Sequence, residues 1–106
     1  MDTPEISVVV LAYRSAATIT NFVDSLIDSL EKENLLWEIV LVGNYFDGVG
    51  DLTPEVVRGI AARDSRIKAV VKIKKGMMGW DMRSGLEAAT GWCLAVIDGD
   101  GQVVTD

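Results

Sequence analysis

A chain of 106 residues, 49% of them apolar and 25% charged, has the balance of a globular protein and room for one small domain of about three strand–helix–strand crossovers. Its formal charge of −6 argues against a nucleic-acid partner, because phosphate-backbone binding needs clustered Lys and Arg. The absence of histidine excludes Ser-His-Asp and Cys-His hydrolase centres and the usual catalytic zinc sites, leaving carboxylates, backbone groups and cations to carry any chemistry.

The first five residues, Met1-Asp2-Thr3-Pro4-Glu5, lack the basic and apolar regions of a signal peptide. No apolar run is long enough to span a bilayer, so the expected compartment is the cytoplasm. Ile6 to Ala12 is a continuous, largely β-branched run of the kind found in strands buried on both faces. After Tyr13-Arg14-Ser15, apolar residues at Ile19, Phe22, Val23, Leu26, Ile27 and Leu30 recur at steps of three and four. That stripe predicts an amphipathic helix with Ser15 as N-cap and its charged face, from Asp24 to Glu33, in water. Asn34 ends it, and Trp37 to Val42 predicts a second buried strand in which only Glu38 is charged.

A glycine-rich loop leads to Thr53-Pro54, read as an N-cap followed by proline at the first helical position, with Val56, Val57, Ile60 and Ala61 as the apolar face of a short helix. Ile67 to Ile73 predicts a third strand, in which Lys68 and Lys72 mark either an edge or a strand end. A helix from Gly79 or Trp80 to Ala89, stopped by Gly91, leads to a fourth strand at Trp92 to Ile97. The single cysteine, Cys93, cannot form an internal disulfide and lies in that apolar run, which predicts a buried, inert thiol in a reducing compartment.

The alternation βαβαβαβ predicts an α/β fold with a Rossmann-like, mostly parallel sheet and right-handed crossovers. Little chain remains after the fourth strand to complete such a sheet, so an exposed edge and association into a homo-oligomer are expected. In open α/β sheets ligands bind outside the carboxyl ends of the strands. Here those ends deliver Tyr13 and Arg14, then Asn44 and Asp47, then Lys74 and Lys75, and finally Asp98 and Asp100. The carboxylates of Asp98-Gly99-Asp100 are spaced so that both can face one small hard cation, Mg²⁺ or Mn²⁺, whose other positions would go to water and a diphosphate. Asp-Gly is equally a common turn dipeptide, and the four residues through Gly101 read as a plain tight turn on the same local grounds. Gly48-Val49-Gly50 follows the second strand and lacks a third glycine, so loop flexibility explains it better than a dinucleotide fingerprint.

The runs Ser7 to Arg14, Glu38 to Val42, Gly76 to Gly91 and Leu94 to Gln102 occur in the order and spacing of family-two glycosyltransferases. The chain resembles especially the polyprenyl-phosphate sugar transferases of that family, such as the dolichyl-phosphate mannose synthases. The resemblance implies a GT-A fold, with residues 1–106 forming a single nucleotide-sugar-binding domain that is the N-terminal part of a larger glycosyltransferase domain. It implies a D-x-D motif at Asp98 and Asp100 for the ribose and metal-diphosphate of a UDP- or GDP-linked sugar, and a base pocket at Ala12, Tyr13 and Arg14. Asn44 and Asp47 fall in the loop that reads the base in that family, and Lys75 and Arg83 would supply positive charge near a helix N-terminus.

The implied reaction is inverting, metal-dependent sugar transfer to a polyprenyl phosphate or a glycan. Its general base falls outside this chain, so a fragment that binds donor without efficient turnover is expected. Contact of the full-length protein with the cytoplasmic membrane face would come through segments missing here. Two departures stand out: Tyr13 is not followed by the family's Asn-Glu pair, and Gly43-Asn44-Tyr45-Phe46-Asp47 replaces Asp-Asp-Gly-Ser-x-Asp. The second favours an alternative, a non-catalytic regulatory or binding module that keeps the fold. On the residues alone, Lys74, Lys75 and Arg83 read equally well as solvated surface, and Met77, Met78 and Trp80 as packing residues.

Overall fold

A computed structural model describes residues 3–48, 50–75 and 78–99. In chain order the elements are β1 (Ile6–Leu11), α1 (Ile19–Lys32), β2 (Trp37–Val42), α2 (Thr53–Arg63), β3 (Ile67–Val70), α3 (Met78–Ala88) and β4 (Cys93–Asp98). The strands form one sheet in the order β3-β2-β1-β4, every pairing parallel. β1 lies between β2, with Ile6 opposite Trp37, and β4, with Ile6 opposite Cys93. The α/β architecture predicted from the alternation of apolar patterns is the one observed.

Side-chain alternation along β1 and β2 builds two cores. Val8, Val10, Ile39 and Leu41 pack with Ile19, Val23 and Leu30 of α1 and with Val57 and Ile60 of α2. Val9, Leu11, Val40 and Val42 pack on the other face with Met82 and Leu86 of α3. Each fully buried aliphatic side chain contributes roughly 1.5–3 kcal/mol, which is why these two strands carry almost no polar residue. Gly85 lets α3 sit low on the sheet: a Cβ there would overlap the Val9 side chain and stand 2.9 Å from Val42 Cγ2.

With α1 and α2 on one face, the chain steps outward from β1 to β3. α3 then returns over the opposite face and places β4 on the far side of β1. The direction of winding therefore reverses between β1 and β4, and the crevice at their carboxyl ends is the topological switch point of the sheet.

Four local expectations are corrected. Ser15 is not the N-cap of α1: its carbonyl accepts the N–H groups of Thr18 and Ile19 in a turn that delays the helix to Ile19. Thr53 is already helical rather than the N-cap: Leu52 takes that position with no side-chain cap bond, and Asp51 Oδ1 accepts the Thr53 N–H at 2.9 Å. β3 ends at Val70 rather than Ile73, because the side-chain oxygen of Asn44 takes the Lys72 N–H at 2.8 Å in place of a strand carbonyl; pairing resumes at a Tyr45–Ile73 bridge. Cys93 is exposed, since its strand stands at the edge of the sheet. Among the described residues, no helix is long and apolar enough to cross a membrane.

Candidate functional site

β4 ends on Asp98, directly opposite Leu11, the last residue of β1. The N–H of Gly99 donates to the Leu11 carbonyl at 2.8 Å, tying the turn to the end of β1. A Cβ on Gly99 would stand 3.0 Å from that carbonyl oxygen and 3.2 Å from Ile19 Cδ1, a tight fit that glycine avoids where the turn lies this close. Val96 packs on the α3 face and Ile97 on the other. Alternation therefore puts Asp98 on the α3 side, the side shared by Leu11 and Asn44. Asp100, its partner in the motif, lies outside the described residues. Among the described residues, no group of three or more His, Cys, Asp and Glu side chains is placed to hold a metal ion.

Ala12 is buried, its N–H bonded to the Val42 carbonyl at 2.8 Å, and it continues β1 to the rim. Tyr13 follows, 43% exposed, with the Phe46 ring nearly perpendicular to it at a centroid distance of 6.3 Å. Arg14 adopts the left-handed region at φ 49° and carries its guanidinium to 5.5 Å from the Tyr13 ring centroid. This loop is held from below. The Ser15 hydroxyl donates to the Tyr13 carbonyl, and the Ser15 N–H donates to the hydroxyl of fully buried Thr53. Asp47 sits exposed in the turn after Phe46.

The cation that joins this cluster is Lys74 rather than Lys75, which is exposed. Lys74 Nζ lies 4.5 Å from the Tyr13 ring centroid and 5.5 Å from that of Phe46, and it is ion-paired with Asp81 of α3. Both side chains are buried, at 3% and 8% exposure. Asn44 is also buried: its amide donates to Asp81 Oδ1 and to the Ser84 hydroxyl, each at 3.0 Å, while its oxygen accepts from Lys72. Its donors therefore point inward, into the protein. Arg83, on the second turn of α3, is exposed beside a groove formed with Gly79, Met82, Leu86 and Glu87.

Asp81 and Ser84 were missed by reasoning from the sequence. Ser84 sits three residues after Asp81, the helical spacing that lets both meet Asn44, but nothing in the sequence signals that Asn44 turns towards them.

A second polar cluster occupies the opposite end of the sheet. Glu38, 4% exposed, accepts hydrogen bonds from Ser7 and from the Thr90 N–H, and pairs with Lys68 at 2.6 Å. Burial alone pushes this carboxyl up, but the bonds from Lys68, Ser7 and Thr90 together hold it below the usual carboxylate value. It faces away from the switch point and ties β1, β2, β3 and the end of α3 together.

The glycosyl transferase family 2 profile matches residues 7–106. EpsH of Bacillus subtilis (strain 168) is 31% identical over 106 residues, covering all of this chain and 29% of that protein. The succinoglycan biosynthesis protein ExoO of Rhizobium meliloti (strain 1021) is 33% identical over 103 residues, 97% of this chain and 27% of its own length. The chain thus spans less than a third of these relatives. Among solved structures, the mannosyltransferase PcManGT from Pyrobaculum calidifontis, in complex with GDP-Man and Mn²⁺, superposes with a TM-score of 0.72 at 23% identity, over 96% of this chain and 29% of that one. At that identity the likeness is one of fold.

Proposed function

Because the chain belongs to glycosyltransferase family 2, we propose that the rim at the β1–β4 switch point binds the nucleoside-diphosphate sugar donor of a glycosyl transfer. The observation that carries this is the Asp98–Gly99 turn, bonded to the end of β1 with Tyr13 two residues further along that strand's path. In this reading the base lies by Tyr13, Arg14 and the buried Ala12 backbone, and the diphosphate by the acidic turn. Asp47, Lys75 and Arg83, all exposed, are surface contacts for the sugar or phosphates. Asn44 acts from beneath, by holding the loop after β2 in shape.

In this reading Asp98 and Asp100 would hold a divalent cation. A pair of carboxylates two residues apart is a hard-oxygen donor set suited to Mg²⁺ or Mn²⁺, and Asp98 ends β4 at the rim beside Gly99. When bound, Mg²⁺ or Mn²⁺ neutralises charge on the leaving diphosphate. The solved mannosyltransferase, with its Mn²⁺ and GDP-Man, supports the same pairing of metal and nucleotide here. Attack with inversion would come from an acceptor hydroxyl or phosphate oxygen, and the hydroxyl would need a base that no residue of this chain is assigned. We place the polyprenyl phosphate or glycan acceptor, cytoplasmic location and self-association through the β4 edge on the same proposed footing.

A second reading, a binding module without transfer activity, is favoured by the inward-turned amide of Asn44. Asp98→Ala separates the two. The donor reading expects binding of UDP-glucose or GDP-mannose in Mn²⁺ to weaken about tenfold or more with the thermal midpoint kept, a loss of about 1.4 kcal/mol or more. Unchanged binding would remove the acidic turn as the anchor and leave the module reading.

A further inference from the structure

The Lys74–Asp81 pair poses a question that packing does not answer. A buried ion pair is generally no more stabilising than a well-packed apolar pair of similar volume, because desolvation offsets the attraction. Here the pair also sits where four structural elements meet. Lys74 follows β3, Asp81 lies on α3, Asn44 from the end of β2 donates to Asp81, and the Tyr13 ring at the end of β1 rests 4.5 Å from the ammonium. Phe46 stands nearly perpendicular to Tyr13 and also faces the ammonium. Tyr13 remains 43% exposed, so part of its ring is available at the rim beside the Asp98–Gly99 turn.

An exposed aromatic ring is a stacking platform for a nucleobase only if its tilt is set before the ligand arrives, because ordering it on binding costs affinity. The attraction between a desolvated ammonium and a ring face fixes that tilt, and Asp81 fixes the ammonium. Asn44, whose amide donors are spent inside, is not free to read the base edge by donating, so stacking carries more of the recognition. We propose that Lys74 and Asp81 are positioning residues that hold Tyr13 as the nucleobase platform of the donor site; this rests on the donor-binding reading above. The ligand class is a nucleoside diphosphate gripped by its base through stacking and by its diphosphate at the acidic turn.

The test compares ligands with and without a base. In the double variant Lys74→Met/Asp81→Leu both partners become apolar, which avoids the stranded buried charge that a single substitution would leave; the Asn44 amide keeps its bond to Ser84. Calorimetric titration in Mn²⁺ is expected to show GDP and UDP binding weakened about tenfold or more, while inorganic pyrophosphate binds within about twofold of the parent chain. Unchanged nucleotide affinity, or an equal loss for pyrophosphate and nucleotides, would overturn the proposal, the second outcome marking a purely structural pair. Should the double variant not fold, Lys74→Arg keeps the charge while placing a planar guanidinium under the ring. A shift for GDP and UDP alone supports the proposal, and no difference between the ligand classes overturns it. If the parent chain binds neither nucleotide, the donor reading fails and takes this proposal with it; if the parent binds nucleotide and the variants bind it equally well, this proposal fails alone.

Discussion

A methyl group at position 85 would overlap Val9 and press on Val42, so Gly85→Ala is expected to cost about 1–3 kcal/mol by lifting α3 from the sheet. Urea denaturation would measure it, and an unchanged midpoint would show that α3 can shift freely. Glu38→Gln tests the opposite end of the molecule. Glu38 is held below its ordinary value of 4.5, so its charged network stabilises the folded state above that pH and loses its effect as the pH falls through the lower, folded-state value. Removing the charge is expected to cost about 1–3 kcal/mol at pH 7, an effect moderated by the partly exposed Lys68, and the gap between parent and variant should close below the ordinary carboxylate value. A gap that persists unchanged at low pH would mean that shape rather than charge is what Glu38 contributes.

At the scale of elements, periodicity was legible because burial on one face or two leaves a direct mark on residue order. The stripe from Ile19 to Leu30 and the apolar runs of β1 and β2 appear as α1, β1 and β2 with boundaries close to those expected. What long-range contacts decide was not legible. Asn44 cuts β3 short from 28 positions away, and Thr53 fixes the loop at Ser15 across 38. The Lys74–Asp81 pair spans only seven positions, yet it depends on how the chain turns from β3 into α3, which composition does not encode. Among the described residues β4 is an edge strand of the sheet, with its Leu94 54% and the preceding Trp92 82% exposed, an apolar surface of the kind proteins usually cover or charge. The chain is therefore expected to associate as its concentration rises, and Leu94→Lys to reduce that association. Light scattering would register both, and a parent chain monomeric throughout the range would contradict the expectation.

The whole molecule sets the strongest condition on function. A chain of net charge −6 repels a diphosphate unless cations intervene. Its most placed basic residue at the rim, Lys74, is already paired with Asp81. The topology nevertheless brings Tyr13 and Asp98 to one crevice, where sheets of this type take their ligands. The strand order that creates this crevice was not readable from the sequence, and neither was the buried contact of Lys74 with Asp81 nor that of Asn44 with Ser84; Tyr13, Lys74 and Asp98 could be named because they follow or end apolar strands. If the crevice is a donor site, affinity must depend on a divalent ion. Titrating the chain with GDP-mannose and UDP-glucose, with Mn²⁺ and with chelator, measures that dependence directly. Saturable binding of at least one donor that requires Mn²⁺ is the predicted result, and a folded chain that binds neither donor, or binds equally well without metal, would contradict it.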